Sequence, residues 1–328
     1  MLERLNEKAP QERWKKHRVF AVDGSRIALP HATEILSHFP ANNTHYPKGL
    51  LVTGTDVMTG VIRVATVAEE FSSERDLLVK ISDDFKAGDL LLLDRGFEGF
   101  ETWSALDKKG LKFVCRVRTA GCYSRGVNAL LKSGAREKIY EIGDGADRLT
   151  IRYVRAGTDF RGRAIVLATN LLEKKSYTSK EIRQIYQYRW KVETAYYRVK
   201  ELLNLEKFHA KTLNGVLQEI WANLFVLSMT SILSHQAKAA LKTGTQKVIS
   251  FKNALEVLAS NLHFFVCCRS VGSRRWAKLI MGHVEAITFT HQPGRKNPRL
   301  SKQPHTTWVN ARKNKTTDNF KKRKGWLL

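Results

Sequence analysis

Apolar and polar positions along the first third of the chain fall into short blocks with the two-residue period of strands, broken by helical stretches. Arg18 to Leu29 (RVFAVDGSRIAL) reads as a strand with Asp23 inside it and Gly24 beside it. Leu50 to Thr55 and Val61 to Ala68 flank the turn signal DVMTG, which makes a hairpin of the second and third strands. Ser72 to Phe85 has helical composition with a Ser-led start. Asp89 to Gly96 (DLLLLDRG) is the clearest buried strand, four leucines running straight into Asp94. Phe100 to Lys109 reads as a helix closed by Gly110, and Lys112 to Arg118 (KFVCRVR) as a fifth strand.

The strongest helical signal is Thr178 to Asn204 (TSKEIRQIYQYRWKVETAYYRVKELLN), which no Gly or Pro interrupts. Thr178 and Glu181 form the T-x-x-E of a capping box at its start. At about 100° per residue, Tyr186, Arg189, Glu193 and Lys200 share one edge roughly 60° wide. Ile185, Val192, Tyr196, Val199 and Leu203 fall in the adjacent sector and predict a core-facing stripe. Lys180, Arg183, Lys191, Arg198 and Glu201 face the other way.

Between the fifth strand and this helix lies a stretch rich in Gly, Arg and short β patterns, notably Leu149 to Arg155 and Ala164 to Thr169 around GTDFRGR. It predicts a β-rich insertion over 119–176 whose Arg152, Arg155, Arg161 and Arg163 are candidate phosphate contacts. After the helix, a loop bearing Lys207, His209 and Lys211 leads into a long apolar helix. His209 reads as a loop or phosphate contact, because no second His or Cys stands at ligand spacing. Gln246 to Cys268 continues the helical pattern. The order of elements is that of a ribonuclease-H-like α/β fold: a mixed five-stranded sheet flanked by helices, with the β-rich insertion ahead of the helix that carries Glu193. The expected divisions are a charged lead-in at 1–17, core segments at 18–118 and 177–292 on either side of the insertion, and a tail at 293–328.

Charge narrows the partners. Fifty-six Lys and Arg against 31 Asp and Glu give a net charge of +25, and such self-repulsion is usually offset by a polyanion, nucleic acid first. The tail from Pro293 carries eleven Lys and Arg against Asp318 alone and is expected to lack order until it meets an anion. Charge by itself does not separate an enzyme from a ribosomal or membrane-surface protein. Cys115, Cys122, Cys267 and Cys268 show neither a C-x-x-C pair nor a disulfide rhythm, which fits a reducing cytoplasm. The apolar run Ile220 to Ser234 is too short for a span of about 20 residues and predicts a buried helix, with no membrane partner.

Asp23, Asp94 and Glu193 are the candidate chemistry: two acids at strand positions expected to be neighbours and a third on a helix packing across them. Each alone has an ordinary reading, as a turn Asp before Gly, a strand terminus or a solvated helix edge. Together, three converging carboxylates repel one another unless cations are bound, which points to hard divalent metals, Mg²⁺ or Mn²⁺ as a pair, and to phosphodiester chemistry. Arg189 and Lys200 would neutralise a phosphate near Glu193, with Tyr186 donating its hydroxyl.

Tyr186, Arg189, Glu193 and Lys200 fit Y-x2-R-x3-E-x6-K at every position, and this resembles the signature of the insertion-sequence-four family of bacterial DDE transposases. The resemblance covers roughly residues 18–234. It implies that Asp23 in VDGS, Asp94 in LLLLDRG and Glu193 bind the metals, and that Tyr186, Arg189 and Lys200 contact phosphates at the element's end. It further implies cut-and-paste transposition on double-stranded DNA, element ends and target alike, by a homodimer assembled on two ends. Members usually carry an end-recognition region ahead of the first acid, yet only 22 residues precede Asp23, so a truncated copy acting only as a DNA-binding protein is a second expectation. A structure-selective nuclease is a third. Relatives use an aromatic residue of the insertion to hold a flipped base, for which Tyr123, Tyr140, Tyr153 and Phe160 are the candidates here.

Overall fold

The computed structural model describes residues 12–41, 45–121, 124–145, 148–241, 247–267 and 272–290. The expectations placed on residues 1–11, Cys122, Tyr123, Cys268 and the basic tail lie outside these. A single sheet organises the described chain: β1 (Val19–Ala28), β2 (Lys48–Asp56), β3 (Ile62–Glu69), β4 (Leu90–Leu93), β5 (Lys112–Val117), β6 (Glu137–Ile142), β7 (Leu149–Thr158) and β8 (Ala164–Thr169). Their spatial order is β3-β2-β1-β4-β5-β8-β7-β6. β1, β4 and β5 run parallel to one another, and every other neighbouring pair is antiparallel.

Strand alternation sorts the side chains onto two faces. Val19, Ala21, Leu90 and Leu92 enter one buried cluster, and Phe20, Val22, Leu91 and Leu93 enter the other. Such strands must be covered on both sides, which is why β4 reads as an unbroken leucine run. One face is covered by α2 (Glu74–Ile81), α3 (Phe100–Lys108) and α4 (Arg125–Ser133), which contribute Leu78, Leu106 and Leu130. The other is covered by α5 (Ser179–Gln187), α6 (Lys191–Tyr197) and α7 (Leu213–Ala240), through Ile185, Val192 and Leu224. α8 (Phe251–Cys267) and α9 (Gly272–Ala286) add a smaller cluster against the end of α7, where Leu233, Leu258 and Ile280 meet.

The five expected strands occur, but the sheet has eight. β8 pairs antiparallel with β5, so the strands of 119–176 continue the sheet by giving the exposed edge of β5 hydrogen-bond partners. Three helices were not read from the sequence, α9 among them. α1 (Thr33–His38) has six residues, too few to display a period. α4 is masked in sequence by glycines that read as turn signals, and Gly126 is needed there because a Cβ would stand 2.3 Å from the Tyr153 ring. Tyr153 is itself 1% exposed, which removes it as a base-holding candidate.

The run from Thr178 is helical throughout but not uniform. The Thr178–Glu181 capping box is present. A 3₁₀ turn at Tyr188–Trp190 joins α5 to α6, and α6 continues into a π-turn at Arg198–Leu202. α7 is long and apolar enough, by length and composition, to cross a membrane. Val216, Ile220, Leu224 and Leu227 form a buried stripe along it, and Ser228 Oγ accepts from Ile62 N–H on β3 at 3.2 Å.

Arg152 and Arg155 correct the expectation of a DNA-tracking surface. Arg152 is 1% exposed and ion-paired with Glu137, and it donates to the carbonyls of Leu171 and Tyr177. It ties β6 and β7 to the start of α5. Arg155 donates to the carbonyls of Leu130 and Leu131 at the end of α4, which are orphan acceptors of a helix terminus. Arg152 meets carbonyls of the connection from β8 to α5 and Arg155 those at the end of α4, demands that local sequence does not reveal.

Arg152→Ala leaves the carbonyls of Leu171 and Tyr177 without this donor and Glu137 with Ser179 and Lys174 alone, and is expected to cost about 3–5 kcal/mol in urea unfolding at pH 7. Burial pushes Glu137 up, but the Ser179 hydroxyl, Arg152 and Lys174 outweigh it and hold the carboxyl down at about 2. The stability this supplies is complete above the unfolded value of about 4.3 and is lost as pH falls through about 2. Urea midpoints across that range should converge for wild type and Glu137→Gln at the acid end.

Candidate active site

β1 and β4 lie side by side with Val19, Phe20 and Ala21 opposite Leu90, Leu91 and Leu92. Continued past its last pair, that register leads toward Asp23 and Asp94, and the charge of Asp94 acts on Asp23. Asp23 follows the parity of Ala21 and so faces α5 and α6. Parallel pairing is fixed at the other end by Arg18, buried and doubly bonded to Asp89, and by Leu90 N–H donating to Arg18 O at 2.8 Å.

Asp94 ends β4 and caps the turn that follows, accepting from Gly96 N–H at 2.6 Å. Asp23 accepts from Gly24 N–H at 3.0 Å. Burial, and then the charge of Asp94, push the Asp23 carboxyl up to about 6. Arg189 is the link to the third acid: its guanidinium stands 3.8 Å from Asp23 Oδ2 and 2.8 Å from Glu193 Oε1. Three sequence-predicted residues therefore meet through one side chain, with Asp94 beside them. Among the described residues, no three His, Cys, Asp or Glu side chains stand in a ready metal-holding group. The donors available are carboxylate oxygens only, a set that suits a hard divalent cation, and the raised Asp23 shows the like-charge cost that a cation would relieve.

The remaining residues of the predicted helix edge track the end of the sheet. Tyr186 donates to Leu93 O at 3.2 Å, just before Asp94, and burial pushes its phenol up. Lys200 donates to Arg26 O near the end of β1 and lies 3.6 Å from Glu206. Lys207, His209 and Lys211 are exposed on the following loop. His209 lies against Glu219, which accepts from its backbone N–H. Arg161 and Arg163 sit at the β7–β8 tip, Arg161 against the exposed Phe160 ring and Arg163 paired with Asp159 at 2.8 Å.

Three features escaped the sequence. Tyr196, expected only as core, places its hydroxyl between β1 and β2, donating to Asp23 O at 2.6 Å and accepting from Thr53 N–H at 3.1 Å. Glu74, in the first turn of α2, is a fourth carboxylate near Asp94. Its Oε1 lies 2.6 Å from where a Cβ on Gly24 would be, so the absence of a side chain at 24 makes room for it. An acid in a first helical turn is ordinary, so nothing marked it. Finally, a cleft of about 380 Å³ opens beside Asp94, lined by Arg95, Arg116, Arg118, Arg163 and Asp159. The signal for it was the alternate arginines of KFVCRVR, which project from the end of β5.

Two outcomes follow from this geometry. In metal-free protein, the Asp23 carboxyl should titrate near 6 by carbon-detected NMR, and Asp94→Asn should move it down. Because the folded value is raised, the stability associated with Asp23 is full below about 3.9 and is lost as pH rises through about 6. Tyr196→Phe leaves the buried Thr53 N–H without its acceptor and is expected to cost about 1–3 kcal/mol in denaturant unfolding.

The family described as "Transposase DDE domain" matches residues 14–229. The transposase InsG for insertion sequence element IS4 of Escherichia coli (strain K12) is 20% identical over 239 residues, 67% of this chain and 53% of that protein. This chain thus spans about half the length of that curated relative. A piggyBac transposase solved as a synaptic complex with hairpin DNA aligns with a TM-score of 0.47 and 13% identity, over 85% of this chain and 59% of that one. With its matched region covering well over half of its length, and running from ahead of β1 into α7, this chain belongs to the transposase DDE domain family.

Proposed function

We propose that the chain is the catalytic part of an insertion-sequence transposase with a ribonuclease-H-like core, cutting DNA at element ends and joining them to a target by cut-and-paste transfer. The observation that carries the reading is the parallel pairing of β1 and β4, which leads toward Asp23 and Asp94, with Arg189 bridging Asp23 to Glu193. DDE transposases use divalent metals, and Asp23, Asp94 and Glu193 are the oxygen donors that would hold two Mg²⁺ or Mn²⁺ ions here. A bound divalent cation supplies Lewis acidity at the phosphorus oxygens and an activated hydroxyl for in-line attack.

The chain's own residues do the rest. Arg189 offers a planar fork to a phosphate and, when it turns to DNA, releases Glu193. Tyr186 braces the end of β4 and so the backbone that carries Asp94. Lys200, Lys207, His209 and Lys211 form a basic rim beyond β1 for the element's end. Arg116, Arg118, Arg161 and Arg163 offer positive charge to the strand leaving Asp94, where the exposed Phe160 is the base-holding candidate. The working unit is a homodimer holding two DNA ends.

The test is Mn²⁺-dependent nicking of DNA that carries the terminal repeats, with strand transfer scored in the same reaction. Glu193→Gln should lower both by more than about 100-fold, beyond what loss of a supporting residue costs. Nicking without joining by the wild type would favour the nuclease reading. DNA binding without cleavage would sink the catalytic one.

A further inference from the structure

Behind the helical run that carries Glu193, on the side away from Asp23, a second pocket of about 390 Å³ opens between α6, α7 and the β2–β3 turn. Three of its hydroxyls, Thr55 Oγ1, Ser231 Oγ and Ser234 Oγ, are buried and have no hydrogen-bond partner. Thr55 is 1% exposed and Ser231 3% exposed, so these are orphaned polar atoms inside the fold. A buried hydroxyl without a partner costs free energy that a ligand's oxygens would recover.

Cations surround the same space. Arg198, at the start of the π-turn, has its guanidinium 3.7 Å from the centre of the Phe251 ring. This stack holds the fork flat and leaves its N–H edge for another acceptor. Lys191 and Lys238 also line the pocket; the Lys191 ammonium donates to Val57 O with one of its three N–H groups and lies over the Tyr188 ring, and it is pushed down by burial and by the charge of Lys238. Two acids lie close enough to act on Lys191, and each has a partner of its own. Asp56 accepts from the N–H groups of Met58 and Thr59, and Glu12 pairs with His235 at 3.1 Å. At Gly60, whose φ of +78° favours glycine, an added Cβ would stand 3.3 Å from Ser231 Oγ and 4.0 Å from Arg198 Nη1. Hydroxyl and guanidinium thus converge over a residue that has no side chain to fill the space.

We propose that this pocket is a binding site for a phosphate group with its oxygens free, held by Arg198 and Lys191 and by the hydroxyls of Thr55, Ser231 and Ser234. A tetrahedral polyanion accepts from several donors at once and balances the charge of Arg198 and Lys191, which a neutral ligand cannot do. The phosphate arrives either as a free ion or as the terminal phosphate of a nucleic acid strand. The site is separate from the acids of the opposite helix edge and does not depend on their chemistry.

The probe is inorganic phosphate, titrated against chloride at equal ionic strength, with thermal unfolding and the Gly60 amide resonance as readouts. Wild type should show a saturable rise in Tm and a shift at Gly60. Arg198→Gln should weaken the apparent affinity by at least about tenfold, the loss of a hydrogen bond to a charged group. Ser231→Ala, which removes only an unpaired hydroxyl and keeps the fold, should weaken it by roughly two- to tenfold. Lys80→Ala, on the opposite face of the sheet, should respond as wild type. Equal responses in all four proteins, or no shift at Gly60, would overturn the proposal and leave the pocket to water. A 5′-phosphorylated oligonucleotide that shifts Gly60 where its 5′-hydroxyl counterpart does not identifies a strand terminus as the source. A response to inorganic phosphate alone identifies the free ion.

Discussion

The parallel pairing of β1 with β4 is the constraint on which the site depends. Two strands 71 residues apart in sequence at the Arg18–Asp89 pair are held in one register by that buried ion pair and by the backbone bond between Leu90 and Arg18. A slip of β1 by one residue would turn Asp23 away from α5 and α6, since strand side chains alternate. It would also part Phe20 from Leu91, which share one core. Packing on both faces therefore fixes the site's geometry as a by-product of fixing the fold.

Like charges brought this close have a cost, and the structure meets it with Arg189. Its guanidinium lies near Asp23 and bonds Glu193, so the acids are held by an internal cation where a metal would otherwise be needed. Tyr196 adds a second restraint by bonding the backbone of Asp23 across to β2. The helical run is thus used on two sides. Arg189 and Glu193 face the acids, while Lys191 and Arg198 face the pocket under Gly60. The 3₁₀ and π turns within it allow one stretch of chain to follow both surfaces.

The elements themselves were largely legible. β1 to β5, the capping box at Thr178 and the core stripe of Ile185, Val192 and Val199 follow from periodicity and cap chemistry, which are local properties. Arg152 and Arg155 were misread because an arginine on a strand looks the same whether it meets solvent or backbone carbonyls of a neighbouring segment. Glu74 and the hydroxyl of Tyr196 were invisible for a related reason. Their roles exist only in relation to Gly24 and Thr53, which no spacing rule connects to them.

The sequence by itself determined β1 to β5 and the helical run from Thr178, where the acids sit along them, and that Tyr186, Arg189, Glu193 and Lys200 form one helix edge, because each depends on a period of two or 3.6 residues. Tertiary structure alone decided that the sheet extends to eight strands, that the charge of Asp94 acts on Asp23, which arginines are struts, and that three hydroxyls face one cationic pocket. Those outcomes depend on distances between residues far apart in the chain, and such distances are set by packing across the whole sheet rather than by any local preference.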